Sequence, residues 1–155
     1  MCKSSNPSFQ PESVIDDYFE YVSQYQLTMN SIPTTSECFW PRLQNQGLLI
    51  ELALKTYLCA CRVIASGHDL ERLARKAVSN GLLLSDEDWV SPIHTVNVIY
   101  FKHRDWNTKY LSRYPTPDRG LAAFVTPQNA KVDEMVRRII EQAISKRVDW
   151  KRPQW

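Results

Sequence analysis

The chain has 155 residues, of which 43% are hydrophobic and 23% are charged. A chain of this length forms one domain and buries roughly 70% of the surface that its unfolded form exposes, so its core needs no disulfide or metal. The 19 basic and 17 acidic residues leave a net charge of +2, which excludes a long-range field that would attract nucleic acid or an anionic membrane. Any site for such a ligand has to be local.

The N-terminal segment is polar and lacks the apolar stretch of a secretory signal, so we expect a cytoplasmic protein. The most apolar window, 48–65, contains Glu51, Lys55 and Arg62, and each of these charges would be costly in a lipid bilayer. The window therefore predicts a buried helix, and we expect no association with membranes.

Sequence motifs for metals and cofactors are missing. The cysteines include no C-x-x-C pair, which predicts reduced, structural thiols. They are Cys2, Cys38, Cys59 and Cys61. His94 and His103 are nine residues apart on one predicted helix, too far to bind one metal ion without other ligands. The sequence also lacks a glycine-rich phosphate loop, G-x-S-x-G and H-E-x-x-H, so we expect no metal and no cofactor.

Apolar residues at three- and four-residue steps predict a first helix over 11–30, with Pro11 in its first turn. Residues 31–41 are rich in proline, serine and threonine, which predicts a connecting loop. Within this loop, we expect Phe39 and Trp40 to pack against the core.

The longest periodic segment, 43–66, predicts a central helix with a broad apolar face. We expect Gly67 to end this helix, because glycine readily adopts the left-handed conformation that terminates helices. Asp69 can then cap a third helix over 70–80, which Gly81 ends by the same mechanism. The pattern predicts two helices that pack side by side around a tight turn.

The Ser91-Pro92 pair predicts the start of a fourth helix that can extend as far as Tyr114. The β-branched residues around Val96 leave a strand open as an alternative. Thr126-Pro127 predicts the start of the last helix, which runs to about Val148 with an unbroken apolar stripe.

Together these elements predict an all-α fold, an up-and-down bundle of four to five helices. We expect a flexible N-terminus over 1–10, a single helical domain over 11–148 and a C-terminal tail over 149–155. The tail is short and interrupted by proline, so we expect it to fray.

Arg62 and His68 form a candidate catalytic pair near the predicted turn. An arginine donates charge-assisted hydrogen bonds to a phosphate, and a histidine transfers protons near neutral pH. Five residues separate the two. Together, a phosphate-binding arginine and a proton-transferring histidine would make a metal-independent ribonuclease site. The alternative is that His68 is a turn residue that hydrogen-bonds neighbouring backbone.

Glu51, Lys55 and Arg62 are spaced by four and seven residues, which places them on one stripe of the predicted central helix. This stripe could face a phosphate or a partner across a dimer interface, or it could be a solvated face with weak salt bridges.

Basic and aromatic residues are mixed in a later segment of the chain. Such a mixture is typical of a surface that binds single-stranded RNA, and also of a core helix whose cationic side chains extend to solvent. They are Lys102, His103, Arg104, Trp106, Lys109, Tyr110, Arg113 and Tyr114.

Three short motifs occur in order: Glu51-Leu52-Ala53-Leu54-Lys55, Gly67-His68-Asp69-Leu70 and Arg113-Tyr114-Pro115. In this order and spacing they resemble the HEPN (higher eukaryotes and prokaryotes nucleotide-binding) superfamily, whose members often carry an E-x-x-x-K helix, a G-H-D-L turn and an R-Y-P. The likeness covers about 47–145. It implies a four- or five-helix bundle, frequent homodimers, and roles in defence, toxin pairs or RNA processing.

The resemblance implies a homodimeric binding module for a nucleotide, RNA or protein partner. The candidate ligand-binding residues are Glu51, Lys55, Arg113 and Tyr114. Many active members cleave RNA with an arginine and a histidine four to six residues apart, and a polar residue commonly follows the arginine. Val63 follows Arg62 here, so we favour a binding module and keep a metal-independent ribonuclease that uses Arg62 and His68 as the alternative.

A third possibility is a structural interaction domain without a ligand site. Tryptophan is enriched among the residues that anchor protein interfaces. The candidate anchors are Trp40, Trp150 and Trp155.

Overall fold

A computed structural model of the chain describes residues 10–102, 109–110, 112 and 126–151. Within these ranges the ordered elements are helices, which confirms the all-α prediction. The strand alternative around Val96 is wrong, because this residue lies in a helical turn.

The helices are α1 (Pro11–Ser31), α2 (Phe39–Ala60), α3 (Leu70–Ser79), α4 (Asp86–Asp88), α5 (Thr95–Asn97) and α6 (Asn129–Val148). Two π-helical stretches, Trp89–His94 and Val98–Lys102, flank α5. Short 3-10 turns, Ser36–Cys38 and Asp149–Lys151, precede α2 and follow α6.

The central helix α2 organises the bundle, because α1, α3 and α6 all pack against it. Its C-terminal half is buried on nearly every side, as expected for a helix in the middle of a bundle. Each fully buried aliphatic side chain contributes about 1.5–3 kcal/mol through removal of apolar surface from water. Fully buried members of the core include Ile15, Leu49, Leu54, Leu70, Ile93 and Ile139.

The start of α2 differs from the predicted boundary. The helix begins at Phe39, inside the stretch predicted to be a loop, and Pro41 lies in its first turn. Proline is tolerated there because the amide hydrogen it lacks would have no partner inside the helix. Phe39 and Trp40 pack against a small cluster that includes Leu43 and Ile99, which confirms the prediction that both contact the core.

The end of α2 also differs from the predicted boundary. The helix ends at Ala60, and Arg62 adopts the left-handed conformation, with φ of 60°. The Arg62 amide donates to the carbonyl of Cys59, and the Val63 amide donates to that of Leu58, both at 2.9 Å. These two bonds form a Schellman motif in which an arginine occupies the position that glycine usually takes. The prediction that Gly67 ends this helix was therefore wrong.

The boundaries of α3 agree with the prediction. The Asp69 carboxylate accepts hydrogen bonds from the amides of Glu71 and Arg72, so it caps the helix as expected. At the other end, Gly81 has a φ of 97° and completes a second Schellman motif. Both caps were predictable because they depend on residues close in sequence.

The segment from α4 to Lys102 is less regular than the single fourth helix predicted from Ser91-Pro92. Ser91 has extended backbone angles, and the Ser91–Pro92 peptide bond is cis. The predicted extension toward Tyr114 falls largely outside the described residues. Buried Asp88 anchors the start of the segment to α6, because it pairs with Arg138 at 2.8 Å.

The first residues of the predicted C-terminal tail pack on the bundle instead of fraying. The indole nitrogen of Trp150 donates to the carbonyl of Ala60 at 2.9 Å, and the Arg62 guanidinium lies 4.3 Å from the centre of the indole ring. Trp150 therefore joins the end of the chain to the end of α2. Residues 152–155 lie outside the described ranges.

The described cysteines, Cys38, Cys59 and Cys61, are free thiols, as predicted. Burial raises the pKa of Cys59 to about 11, so this thiol stays protonated at neutral pH. In the part of the chain that the structure describes, no helix is long and apolar enough to cross a bilayer.

Candidate functional site

Glu51 lies on α2 with only 4% of its surface exposed, and it binds three side chains. The ammonium of Lys55 donates to the carboxylate at 2.7 Å, and the hydroxyl of Tyr100 donates to the other oxygen. The Nδ1 of His68 lies 3.1 Å from both carboxylate oxygens. We call Glu51, Lys55, His68 and Tyr100 the Glu51 cluster.

The ionisation of Glu51 reflects two opposing effects. Burial acts to raise its pKa, because a charged group loses hydration inside a protein. The hydrogen bonds from Lys55 and Tyr100, the charge of Lys55 and the hydrogen bond with His68 lower the pKa by more than burial raises it. Glu51 is therefore a carboxylate at neutral pH. Because its side chain is buried, the alternative that it lies on a solvated face is wrong.

The Glu51 carboxylate determines which ring nitrogen of His68 carries the proton. An ionised carboxylate only accepts hydrogen bonds, so Nδ1 of His68 carries the proton and Nε2 is left for a ligand. The imidazole is 44% exposed, although its partner Glu51 is buried. The structure thus holds the Nδ1 edge of the imidazole against Glu51 while much of the side chain stays exposed.

A basic and aromatic surface lies next to His68. The ring of Tyr110 meets the imidazole edge to face, with 6.2 Å between the ring centres, and Tyr110 also contacts Phe101 at 5.7 Å. The ammonium of Lys109 lies 5.8 Å from the centre of the Phe101 ring, and Lys109 is exposed. We call His68, Phe101, Lys109 and Tyr110 the His68 surface.

The turn that carries His68 is held by a residue that sequence analysis missed. The side-chain oxygen of Asn97 accepts from the amide of Leu70 at 2.8 Å, and its nitrogen donates to Asp69 at 3.0 Å. Asn97 is 3% exposed. A polar residue among the apolar residues of a predicted helix face was the available signal, because a buried amide requires partners.

Tyr100 was also missed as part of the site. Its ring lies against the backbone of α2 at Gly47, where an added Cβ would be 2.2 Å from two ring atoms. Only glycine allows this approach, which lets the Tyr100 hydroxyl reach Glu51 one turn further along α2. Neither the spacing nor the composition of the sequence indicates such a contact between distant segments.

The structure gives Arg62 and His68 different partners. Arg62 forms an ion pair with Glu12 of α1 and stacks on Trp150, whereas His68 binds Glu51. The predicted stripe of Glu51, Lys55 and Arg62 is therefore wrong for Arg62, which lies beyond the end of α2 in a left-handed conformation. The Glu51 and Lys55 pair predicted from the four-residue spacing is present.

The other candidate residues either lie outside the described ranges or are partly buried in the fold. Arg113 and Tyr114 lie outside the described residues, as does Trp155. Trp40 and Trp150 are both partly buried within the fold. Over the ranges that the structure describes, no three His, Cys, Asp or Glu side chains are grouped so as to hold a metal ion.

No protein-family model, curated protein or solved structure matches this chain. The resemblance to the HEPN superfamily therefore stays a prediction based on the three motifs.

Proposed function

We propose that the chain is a HEPN-like helical domain that binds single-stranded RNA at the His68 surface. The observation that carries this proposal is the half-exposed imidazole of His68, held by a buried carboxylate and flanked by Tyr110. The homodimer and the role in defence or in a toxin pair that the resemblance implies belong to the same proposal.

The chemistry of the surface supports RNA over a purely apolar partner. Flat rings such as those of His68 and Tyr110 stack on bases, and each stacked base contributes about 1–3 kcal/mol of binding free energy. The ammonium of Lys109 supplies a cation for the phosphate backbone. Because the net charge of the chain is only +2, binding has to come from such local contacts.

We expect His68→Ala to weaken binding of a fluorescently labelled single-stranded RNA about tenfold, which corresponds to about 1.4 kcal/mol. Fluorescence anisotropy at a fixed salt concentration measures the change. His94→Ala is the matched control, because the imidazole of His94 is 47% exposed and also binds a glutamate, Glu71, through Nδ1. The control should bind RNA as the wild type does.

Equal losses in the two histidine variants would contradict the proposed site, as would a wild-type protein that does not bind RNA. Competition with a mononucleotide tests the ligand class. If the mononucleotide competes as strongly as the oligonucleotide, the ligand is a nucleotide. Far-UV circular dichroism of each variant separates lost binding from lost folding.

A metal-independent ribonuclease is the second candidate, and the hydrogen bond between Glu51 and His68 favours it. A carboxylate that orients an imidazole through Nδ1 leaves Nε2 to take or give a proton, which is the arrangement of many acid–base catalysts. Arg62 could bind the phosphate in such a site only after leaving Glu12 and Trp150.

If the protein cleaves RNA, we expect His68→Ala to reduce cleavage of mixed RNA in the presence of a chelator by about 100-fold or more. Arg62→Gly is the better test of the arginine than alanine, because glycine accepts the left-handed backbone at this position. Loss of cleavage in both variants supports the Arg62 and His68 pair. Loss of cleavage in His68→Ala alone indicates that a cation other than Arg62 binds the phosphate. Absence of cleavage by the wild type contradicts this candidate.

A further inference from the structure

A cavity of about 450 Å³ lies beside α1, next to α2. The residues of α1 that line it are three or four positions apart, so they share one side of the helix. None of the lining residues belongs to the Glu51 cluster or to the His68 surface, so this cavity is a separate feature of the molecule. The lining includes Ser13, Val14, Asp17, Tyr18 and Tyr21 of α1 and Leu52 of α2.

The walls of the cavity are mainly apolar and aromatic. Val14, Tyr18 and Leu52 are partly buried and pack against the core. Tyr21 is 50% exposed, so its ring is accessible to a molecule in the cavity. Sites for small molecules usually have volumes of about 300–1,000 Å³ and combine such walls with a few polar groups. The cavity therefore has the size and lining of a site for a small organic molecule.

Asp17 supplies the charge at this cavity, and it is exposed. Its acidic neighbours Glu12 and Asp16 each form an ion pair with an arginine of the same chain. In the part of the chain that the structure describes, Asp17 has no ion-pair partner. The nearby hydroxyl of Ser13 donates to the carbonyl of Gln10 at 2.8 Å and not to the Asp17 carboxylate. The carboxylate is thus the polar group that a ligand in the cavity would meet.

The electrostatics of the cavity favour a cation. α1 contains no lysine or arginine, and no described basic residue lines the cavity. A phosphate or a carboxylate would be repelled by Asp17, whereas an ammonium group would form a charge-assisted hydrogen bond with it. The faces of the Tyr18 and Tyr21 rings also attract cations, because an aromatic ring carries partial negative charge on its faces.

We infer that this cavity binds a small organic cation that carries an apolar or aromatic body. The body packs against Tyr18, Tyr21 and Leu52, and the ammonium group binds the carboxylate of Asp17. This site goes beyond the proposed binding of RNA and does not depend on it, because the two surfaces share no residue.

Benzylammonium is the probe, and benzyl alcohol is an uncharged molecule of nearly the same shape. An NMR titration of the ¹⁵N-labelled chain at low salt measures both dissociation constants and locates the site. We expect benzylammonium to bind about tenfold more tightly than benzyl alcohol, because only the cation gains the charge-assisted hydrogen bond with Asp17. The largest changes in amide shifts should occur over 13–21 and at Leu52.

Asp17→Asn removes the charge and keeps the shape of the side chain. It should reduce the affinity for benzylammonium to that for benzyl alcohol and leave the affinity for benzyl alcohol unchanged. Glu20→Gln is the matched control, because it changes the net charge equally at a residue of α1 one turn away that is not part of the lining. The control should change either affinity by less than about twofold.

Two further variants test the walls and the independence of the site. Tyr21→Ala should weaken both probes about threefold or more, because both lose contact with the ring. His68→Ala should bind benzylammonium as the wild type does. The inference is overturned if the wild type shows no saturable binding, or if it binds the two probes equally. Equal losses in Asp17→Asn and Glu20→Gln, or shifts centred away from the cavity, would also overturn it.

Discussion

Replacement of Glu51 by alanine is expected to lower the free energy of unfolding by about 3 kcal/mol. The substitution leaves the ammonium of Lys55, which is 14% exposed, without the carboxylate it binds, and removes the hydrogen bond between the buried Tyr100 and Glu51. Removal of one member of a buried ion pair costs about 3–5 kcal/mol, and the partial exposure of Lys55 reduces that cost. Urea denaturation followed by circular dichroism measures the change.

Glu71→Ala is the matched control for this experiment. Glu71 also binds a histidine, but its side chain is 27% exposed, so its loss should cost less than about 1 kcal/mol. Similar losses of unfolding free energy in Glu51→Ala and Glu71→Ala would show that burial does not increase the contribution of Glu51 to stability. The control also separates the loss of a glutamate and histidine pair from the loss of the buried cluster.

The low pKa of Glu51 makes the stability of the protein depend on pH. The pKa of Glu51 in the folded state lies below its ordinary value, so the unfolded state binds the proton more tightly. The resulting stabilisation is fully present above the unfolded pKa of about 4.3 and is lost as the pH falls through the folded pKa. In Glu51→Gln, stability should fall less steeply over this acidic range than in the wild type. If the free energy of unfolding falls equally steeply with pH in Glu51→Gln and in the wild type, the lowered pKa of Glu51 in the folded state is contradicted.

Replacement of Gly47 by alanine is the second change with a large expected effect. Alanine is normally about 1 kcal/mol better than glycine inside a helix. Here its Cβ would lie 2.2 Å from the ring of Tyr100, so the ring or the helix has to move. We expect a destabilisation of about 2–3 kcal/mol, as found for overpacked cores, measured by urea denaturation.

Two comparisons identify the cause of that loss. Gly67→Ala should cost only about 1–2 kcal/mol, because a Cβ there meets nothing within 4 Å and only the left-handed backbone opposes it. In a Tyr100→Ala background, Gly47→Ala should cost less than in the wild type, since the two ring atoms 2.2 Å from the added Cβ are gone and only the Cβ of residue 100, at 2.7 Å, remains close. A Gly47→Ala protein more stable than the wild type would contradict the packing seen here.

Features that depend on neighbours in sequence were predictable. The periodicity of apolar residues indicated α1, α3 and α6 to within about three residues, and Asp69 and Gly81 were identified as caps. The Glu51 and Lys55 pair followed from four-residue spacing on a helix. In each case the stabilising partner lies within one or two helical turns of the residue itself.

Features that depend on distant segments were not predictable from spacing. Arg62 ends α2 in place of a glycine, and its side chain contacts Glu12 and Trp150, which lie 50 and 88 positions away in sequence. Tyr100 reaches Glu51 only because Gly47 admits its ring. The sequence identified His68 as a candidate but could not show that a buried carboxylate orients it.

The contact of Trp150 with the end of α2 has a consequence for biosynthesis. The carbonyl of Ala60 receives its side-chain partner from a residue that is synthesised 90 positions later. α2 also packs along α6, so the side of α2 that faces α6 stays uncovered until α6 has left the ribosome. The bundle therefore closes only once α6 and Trp150 have been synthesised, and a nascent chain interrupted before α6 presents the side of α2 that faces α6 to chaperones and proteases.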